Sequence, residues 1–157
     1  MTTFFLHGLD SSGRGTKGSY FSENFPLVVC PDFSGDLSER LNQFTTLSST
    51  YQDLILIGSS FGGLMATCFA IEHPERVQQL ILLAPALNFC DYTPPQAKLK
   101  VPTLLVIGKQ DIVTPPELVL PLDRKTFACL KEQLVEDDHL LHDTFSALPW
   151  QELLFNH

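Results

Sequence analysis

The sequence is short of basic residues and has no long apolar run. Its 10 lysines and arginines stand against 18 aspartates and glutamates, so the net charge is −8 with histidine neutral. Nucleic-acid phosphates and anionic membrane surfaces attract positively charged proteins, and we therefore expect neither as a partner. No apolar run approaches the roughly 18 residues that cross a bilayer, and the first residues lack the basic and apolar regions of a secretory signal. These absences favour a cytoplasmic protein without a membrane partner.

Cysteine is also scarce, and its spacing is uninformative for metal binding. The four cysteines form no Cys-x-x-Cys pair and stand at Cys30, Cys68, Cys90 and Cys129. Scattered cysteines of this kind are typical of reduced core residues, so we expect no metal and no other cofactor. A length of 157 residues corresponds to one domain. We expect a single globular domain over residues 1–157 that acts on a small molecule.

Short apolar runs alternate with longer amphipathic stretches along the chain. Uninterrupted apolar runs predict strands that are buried on both faces, as in a parallel sheet. The predicted strands are 3–6, 27–30, 54–57, 80–83, 103–107 and, more weakly, 133–135. The predicted helices are 17–24, 36–48, 62–73, 116–121, 124–131 and 143–155. This order predicts a doubly wound α/β fold with a mainly parallel sheet of about six strands, which places functional sites at the carboxyl ends of its strands.

The residues after the third predicted strand form a Gly-x-Ser-x-Gly pattern. Gly58, Ser60 and Gly62 lie between an apolar strand and a helical stretch, which is the context of a nucleophile elbow. Glycines are needed there because the helix packs tightly onto the strand, and the serine is then held on a strained bend. Ser60 has glycines two residues away on both sides, whereas Ser59 does not. Ser60 is therefore the candidate nucleophile.

A serine hydroxyl is a weak nucleophile at neutral pH and needs a base that an acid orients. After an elbow of this kind, the acid comes next in the chain and the histidine follows it. Asp111 follows the fifth predicted strand and His139 follows the sixth, so they are the candidate acid and base. His142 is the main alternative base, and Asp138 and Asp91 are alternative acids. The places of the remaining histidines fit less well, and these are His7, His73 and His157.

The loop after the first predicted strand is the candidate for half of an oxyanion hole. Backbone N–H groups stabilise the charge that develops on the carbonyl oxygen, and one donor is the residue after the nucleophile, here Phe61. Gly8 lets the loop turn close to the site, and we expect the second N–H from Leu9. His7 is expected to pack beneath this loop. Candidates for an acyl pocket are Leu9, Phe33, Phe61, Phe89 and Val113, although core packing explains them equally well.

A second glycine pattern, from Gly13 to Gly18, matches the Gly-x-Gly-x-x-Gly motif of dinucleotide sites. Asp32 even stands where a ribose-binding acid is found. In that fold, however, the first glycine closes the strand directly, whereas here several residues intervene. We prefer a loop that borders the site, with Arg14 or Lys17 available to an anionic substrate.

Together these motifs resemble the α/β-hydrolase superfamily, and most closely its small bacterial esterases without a lid, of the YqiA type. The matching segments are 5–8, 58–63, 72–77, 108–111 and 138–139. The resemblance implies Ser60 as nucleophile, Asp111 as acid, His139 as base, and the Leu9 and Phe61 amides as oxyanion donors. It also implies a minimal fold, because residues 90–100 are too few for the usual lid.

The function that these residues predict is hydrolysis of a carboxylic ester or thioester of a small or medium acyl group through an acyl-enzyme. One alternative is a protein of the same fold that binds without catalysis. A nucleotide-binding domain that uses the loop from Gly13 to Gly18 is less favoured. The oligomeric state stays open between monomer and homodimer, since an open edge strand permits pairing.

Overall fold

The computed structural model describes residues 1–155, and Asn156 and His157 lie outside this range. In the described residues, a sheet of five parallel strands runs in the order β1-β2-β3-β4-β5. The strands are β1 (Thr2–Leu6), β2 (Leu54–Ser59), β3 (Val77–Leu83), β4 (Thr103–Gly108) and β5 (Leu130–Val135). The α-helices are α1 (Thr16–Asn24), α2 (Leu37–Leu47), α3 (Phe61–Glu72), α4 (Pro116–Thr126) and α5 (Trp150–Phe155). Two short 3-10 helices cover Pro74–Arg76 and Phe145–Ala147.

Both faces of the sheet are covered by helices. Alternate strand residues face opposite layers, so that Leu56 packs on one side and Ile57 on the other, each 0% exposed. The first layer contains residues of α2, α3 and α4, including Phe44. The second contains Phe21 of α1 and Trp150 of α5. The doubly wound, parallel α/β fold that the apolar runs predict is thereby confirmed.

The predicted strand 27–30 is reduced to one parallel bridge, between Phe4 and Val29. The Val29 N–H donates to the Thr3 carbonyl at 2.9 Å, and the Val29 carbonyl accepts from the Phe5 N–H at 2.8 Å. Pro26 and Pro31 flank this segment, and proline has no N–H with which to extend a ladder. The sheet therefore has five strands where about six are predicted.

The predicted helix 124–131 is wrong, because α4 ends at Thr126 and β5 begins at Leu130. Two backbone hydrogen bonds of 2.8 Å join Leu99 to Thr126 and Ala128 and draw this segment into extended structure. The predicted helix 143–155 is also interrupted, since its regular part begins only at Trp150, after Pro149.

Segments of the chain pair with β1 on both of its sides. The bridged segment around Val29 lies on one side of β1, and β2 pairs on the other side. Such a switch point leaves a crevice at the carboxyl ends of the strands. Within residues 1–155, no helix lies between β3 and β4, which confirms the expected absence of a lid there. None of the described helices is long and apolar enough to cross a membrane.

Candidate active site

Ser60 occupies the sharp turn between β2 and α3. Its φ of 54° and ψ of −114° lie in a region that is strained for a residue with a side chain. The Ser60 N–H donates to the Leu83 carbonyl at 2.9 Å, and the Ser60 carbonyl accepts from the Ala86 N–H at 2.9 Å. These bonds to the end of β3 hold the strained turn, so the half-buried serine side chain stays at the carboxyl edge of the sheet.

The glycines on either side of Ser60 are required by close packing. A Cβ at Gly62 would overlap the backbone carbonyl of Leu6, and a Cβ at Gly58 would lie 2.6 Å from the Gly63 Cα. The turn therefore brings α3 against β1 and β2 at a distance that only glycine permits. This is the physical basis of the Gly-x-Ser-x-Gly spacing in this chain.

The structure brings Ser60, His139 and Asp111 together. The Nε2 atom of His139 lies 3.0 Å from the Ser60 Oγ, and its Nδ1 atom lies 2.8 Å from an Asp111 carboxylate oxygen. Asp111 is on the loop after β4 and His139 on the loop after β5. With Nδ1–H donating to the carboxylate, Nε2 is free to accept the serine proton.

Thr114, which sequence reasoning missed, organises the carboxylate. Its hydroxyl donates to one Asp111 oxygen at 2.7 Å, and the Val113 and Thr114 N–H groups donate to the other at 2.9 and 2.7 Å. Burial alone would raise the pKa of Asp111, but the bonds from Thr114 and His139 hold it below its usual value. The signal in the sequence is the Asp-x-x-Thr spacing, which is typical of an aspartate that accepts from backbone N–H groups.

Asp137, also missed, fixes the loop that bears His139. Its carboxylate accepts from the N–H groups of Asp138, Asp143 and Thr144 at 2.8, 3.1 and 2.8 Å. Burial would raise the pKa of Asp137, but these donors and the Thr144 hydroxyl lower it to about 2. An ionised carboxylate at the centre of this turn therefore sets the path of the loop.

A second support for the same loop comes from α1. The Lys17 ammonium donates to the Leu140 carbonyl at 2.8 Å and lies 5.4 Å from the centre of the Phe145 ring. Lys17 is thus bound to the residue after His139, while Arg14 is exposed. Of the two cations that the sequence offers to a substrate, Lys17 already holds the histidine loop.

The alternative base and acids lie elsewhere. His142 is exposed and pairs with Asp138 at 2.6 Å on its own turn. Asp91 is exposed on the loop after β3, where it contacts the Cys90 thiol at 3.8 Å. Among the described residues, the imidazole that contacts Ser60 is that of His139.

The loop after β1 lies against the serine. A Cβ on Gly8 would be 3.5 Å from the Ser60 Cβ, an ordinary van der Waals contact. No described residue accepts a hydrogen bond from the Leu9 or Phe61 N–H. Both amides next to the nucleophile are thus available to a ligand, as an oxyanion hole requires.

His7 holds this loop from below and is 1% exposed. Its Nε2 accepts from the Phe33 N–H at 2.9 Å, so its Nδ1–H donates to the Gly8 carbonyl at 2.6 Å. Both ring nitrogens are therefore used in the neutral form of the imidazole. His7 thus packs beneath the loop, in agreement with the expectation from the sequence.

The candidate acyl-pocket residues differ in exposure. Phe33 is 5% exposed and belongs to the core beside His7 and Phe44. Leu9 and Val113 are exposed by 52% and 56%. Phe89 is half-buried, and its ring meets the Phe61 ring edge to face at 5.6 Å.

The second glycine pattern serves packing. The Gly13 N–H donates to the Asp32 carboxylate at 2.7 Å. A Cβ at Gly13 would overlap the Cys30 carbonyl, and one at Gly18 would overlap the Gly13 carbonyl. The carboxylate that resembles a ribose ligand is thus bound by the loop itself. Within residues 1–155, no three His, Cys, Asp or Glu side chains are grouped so that they could hold a metal ion.

Comparison with known families agrees with this architecture. The family model for the alpha/beta hydrolase fold matches residues 10–100. The chain belongs to the α/β-hydrolase fold family. Among solved α/β-fold structures, an esterase from Exiguobacterium antarcticum has a TM-score of 0.78 at 15% identity, over 99% of this chain and 91% of that one. A monoacylglycerol lipase from Paleococcus ferrophilus has a TM-score of 0.71 at 14% identity, over 94% and 92%. At these identities the likeness shows the fold alone.

Two curated proteins are similar in sequence to parts of this chain. The human (lyso)-N-acylphosphatidylethanolamine lipase is 36% identical over 80 residues, which are 47% of this chain and 23% of that protein. The pimeloyl-[acyl-carrier protein] methyl ester esterase of Klebsiella pneumoniae is 32% identical over 93 residues, 58% of this chain and 31% of that protein. The matches thus cover less than a third of either relative.

Proposed function

We propose that this α/β-hydrolase chain is a serine hydrolase of carboxylic esters or thioesters with small or medium acyl groups. The observation that carries the proposal is the hydrogen-bonded path from the Ser60 hydroxyl through His139 to Asp111, with distances of 3.0 and 2.8 Å. A strained serine, a base within reach and a buried acid are the parts that nucleophilic acyl transfer needs. The names of the two curated relatives, a lipase and a methyl ester esterase, also support ester chemistry.

The acylation step uses the Ser60 oxygen, the His139 imidazole and the Asp111 carboxylate. The Ser60 oxygen attacks the carbonyl carbon while its proton passes to the His139 Nε2, and the carbonyl electron pair moves to oxygen. Asp111 stays ionised and stabilises the imidazolium. When the intermediate collapses, the C–O or C–S bond breaks and His139 gives its proton to the leaving alcohol or thiol. Water activated by the same histidine then releases the acid and restores the Ser60 hydroxyl.

The oxyanion of this intermediate would lie between the Leu9 and Phe61 amides. Both N–H groups are without a protein acceptor in residues 1–155. Phe61 follows Ser60 directly, and Leu9 follows Gly8, which lies against Ser60. A single donor of this kind contributes about 2.7–4 kcal/mol to transition-state stabilisation. We assign no part of this chemistry to a cofactor.

A fluorophosphonate probe tests the nucleophile directly, because it reacts only with an activated serine. We expect labelling of the wild-type protein and of Ser59→Ala, and none of Ser60→Ala. Ser59 is a matched control, since it adjoins Ser60 and is also half-buried. Labelling that survives Ser60→Ala, or a folded wild-type protein that is not labelled, would refute the proposal and favour a binding protein of the same fold.

The substrate class is resolved by a graded series of acyl chains. Rates on p-nitrophenyl esters and on coenzyme A thioesters, measured from two carbons upward, compare leaving group and acyl length within one experiment. We expect the highest kcat/KM at short or medium chains, because Leu9 and Val113 beside the site are exposed. A steady rise through long chains would instead indicate a deep acyl site.

A further inference from the structure

Arg40 on α2 is a buried cation with an unused hydrogen-bond donor. It is 5% exposed, and its Nε donates to the Gly35 carbonyl at 2.8 Å. Its Nη1 atom is buried and has no hydrogen-bond partner among the described residues. Arginine remains charged at any physiological pH, so the fold holds a charge here whose hydrogen-bonding capacity is not satisfied.

Two other arginines, in contrast, have partners for their hydrogen-bond donors. Arg124 pairs with Glu132 at 3.1 Å, and Arg76 donates to backbone carbonyls, among them that of Tyr51 at 2.9 Å. Although the chain has 18 acidic residues, Arg40 makes no ion pair within residues 1–155. A buried charge is costly unless it is paired and hydrogen-bonded. An unsatisfied buried donor of this kind needs an explanation, and a bound anion would supply the missing partner.

Arg40 contacts the residue that follows the nucleophile. Its guanidinium carbon lies 5.5 Å from the centre of the Phe61 ring, and Phe61 directly follows Ser60. On another side the same ring meets the half-buried ring of Phe89 at 5.6 Å. One aromatic residue thus links the unpaired cation to the reactive serine, and the second ring of the pair, that of Phe89, is half-buried.

We propose that Arg40 binds a carboxylate on the far end of the substrate's acyl chain. Carboxylate oxygens accept strong, charge-assisted hydrogen bonds from a guanidinium, and Nη1 has such a bond to give. The substrate class is then the mono-ester or mono-thioester of a dicarboxylic acid, in which several methylene groups join the free carboxylate to the carbonyl that Ser60 attacks. This specificity rests on the proposed ester hydrolysis at Ser60, but the binding of the carboxylate does not.

The test compares two esters of equal length. The 4-nitrophenyl mono-ester of adipic acid carries a free carboxylate, and 4-nitrophenyl hexanoate carries a methyl group in its place. We expect the wild-type kcat/KM to favour the adipate ester by on the order of tenfold or more, as one charge-assisted hydrogen bond provides. In Arg40→Met we expect the ratio of the two kcat/KM values to fall close to one.

Arg76→Met is the matched control. Arg76 also lies over a phenylalanine ring, that of Phe69, at 5.2 Å, but its donors have protein partners and it is far from Ser60 in the fold. We expect this variant to keep the wild-type ratio. A wild-type ratio near one, or a high ratio that persists in Arg40→Met, overturns the carboxylate site.

A binding measurement separates this inference from the catalytic one. Sodium adipate should raise the Tm of the wild-type protein, and of Arg76→Met, by more than it raises that of Arg40→Met. An equal shift in all three proteins overturns the site. If neither ester is hydrolysed, the proposed function fails, and the adipate shift still decides whether Arg40 binds a carboxylate.

Discussion

The imidazole Nε2 of His139 lies 3.0 Å from the Ser60 hydroxyl oxygen, although 79 residues separate the two in the chain. Ser60 is held by a strained turn after β2, and His139 is held by a loop after β5, at the edge of the sheet. Their contact therefore depends on groups that shape the two loops.

Replacing His139 by alanine should abolish turnover, whereas replacing His142 should not. Loss of a triad histidine lowers kcat on the order of 10⁶-fold, because the serine proton then has no acceptor. His142 is exposed and bound to Asp138, so His142→Ala should stay within about threefold of the wild-type kcat, as surface substitutions generally do. Steady-state rates on p-nitrophenyl acetate measure both. Comparable losses in the two variants would contradict the assignment of the base.

Thr114→Val should lower kcat by about tenfold with little change in KM, which is the effect of one hydrogen bond to a charged group. The hydroxyl of Thr114 holds the Asp111 oxygen that orients His139. Thr103→Val is the matched control, because Thr103 is 4% exposed and its hydroxyl bonds the Val101 carbonyl away from the site. We expect the control to alter Tm and not kcat. An unchanged kcat in Thr114→Val would leave the hydroxyl without a positioning role.

Asp137→Asn should destabilise the protein most at neutral pH. The pKa of Asp137 is lowered to about 2 in the folded protein, so its contribution to stability is present above the unfolded pKa of about 4 and is lost as the pH falls through about 2. The loss at pH 7 should be about 1–3 kcal/mol, because a charged acceptor of backbone bonds is removed. Tm measured from neutral to acid pH checks this. The exposed Asp143 on the same loop is the control, and a gap between Asp137→Asn and wild type that stays constant with pH would contradict the mechanism.

Asp123→Asn should change the pH dependence of stability in the opposite direction to Asp137→Asn. Both carboxyl oxygens of Asp123 are buried, and a hydrogen bond with the neighbouring Glu132 favours the protonated form of the acid. Burial, and next the charge of Glu132, raise the pKa of Asp123 far above its usual value, and Arg124 only partly offsets this. Such a group stabilises the fold below its unfolded pKa of about 4 and loses that contribution as the pH rises toward and through the folded pKa.

The Tm of Asp123→Asn should therefore rise relative to wild type as the pH increases from acid to mildly alkaline. The test compares the slopes of Tm against pH and not the Tm values themselves, because the asparagine amide is buried as well and alters Tm at every pH. Asp91→Asn, at an exposed aspartate, should leave the slope unchanged. Parallel Tm curves for wild type and Asp123→Asn would show that this carboxyl does not titrate over that range.

Several features of the fold could be predicted from local patterns. Uninterrupted apolar runs predict β1 to β4, since only a strand covered on both faces needs such residues at every position. The glycines around Ser60 indicate a tight turn between strand and helix. The end of α4 could not be predicted in this way, because it depends on pairing with Leu99, which is distant in the sequence.

The candidate site also combines features that local patterns predict with features that they do not predict. Chain order alone favours Asp111 and His139, but both His139 and His142 follow β5 closely. The path of their loop separates them, since the Asp137 carboxylate and the positive φ of Leu141 at 54° turn one ring toward Ser60 and leave the other in solvent.

What the sequence determined by itself was the class of fold, the strained serine and the order of the groups that follow it, because each depends on neighbours within a few residues. The tertiary structure decided which histidine meets Ser60, which hydroxyl holds Asp111, and that Arg40 is buried without an acidic partner among residues 1–155. Burial and pairing are properties of groups that the chain brings together from distant positions, and no local pattern contains them.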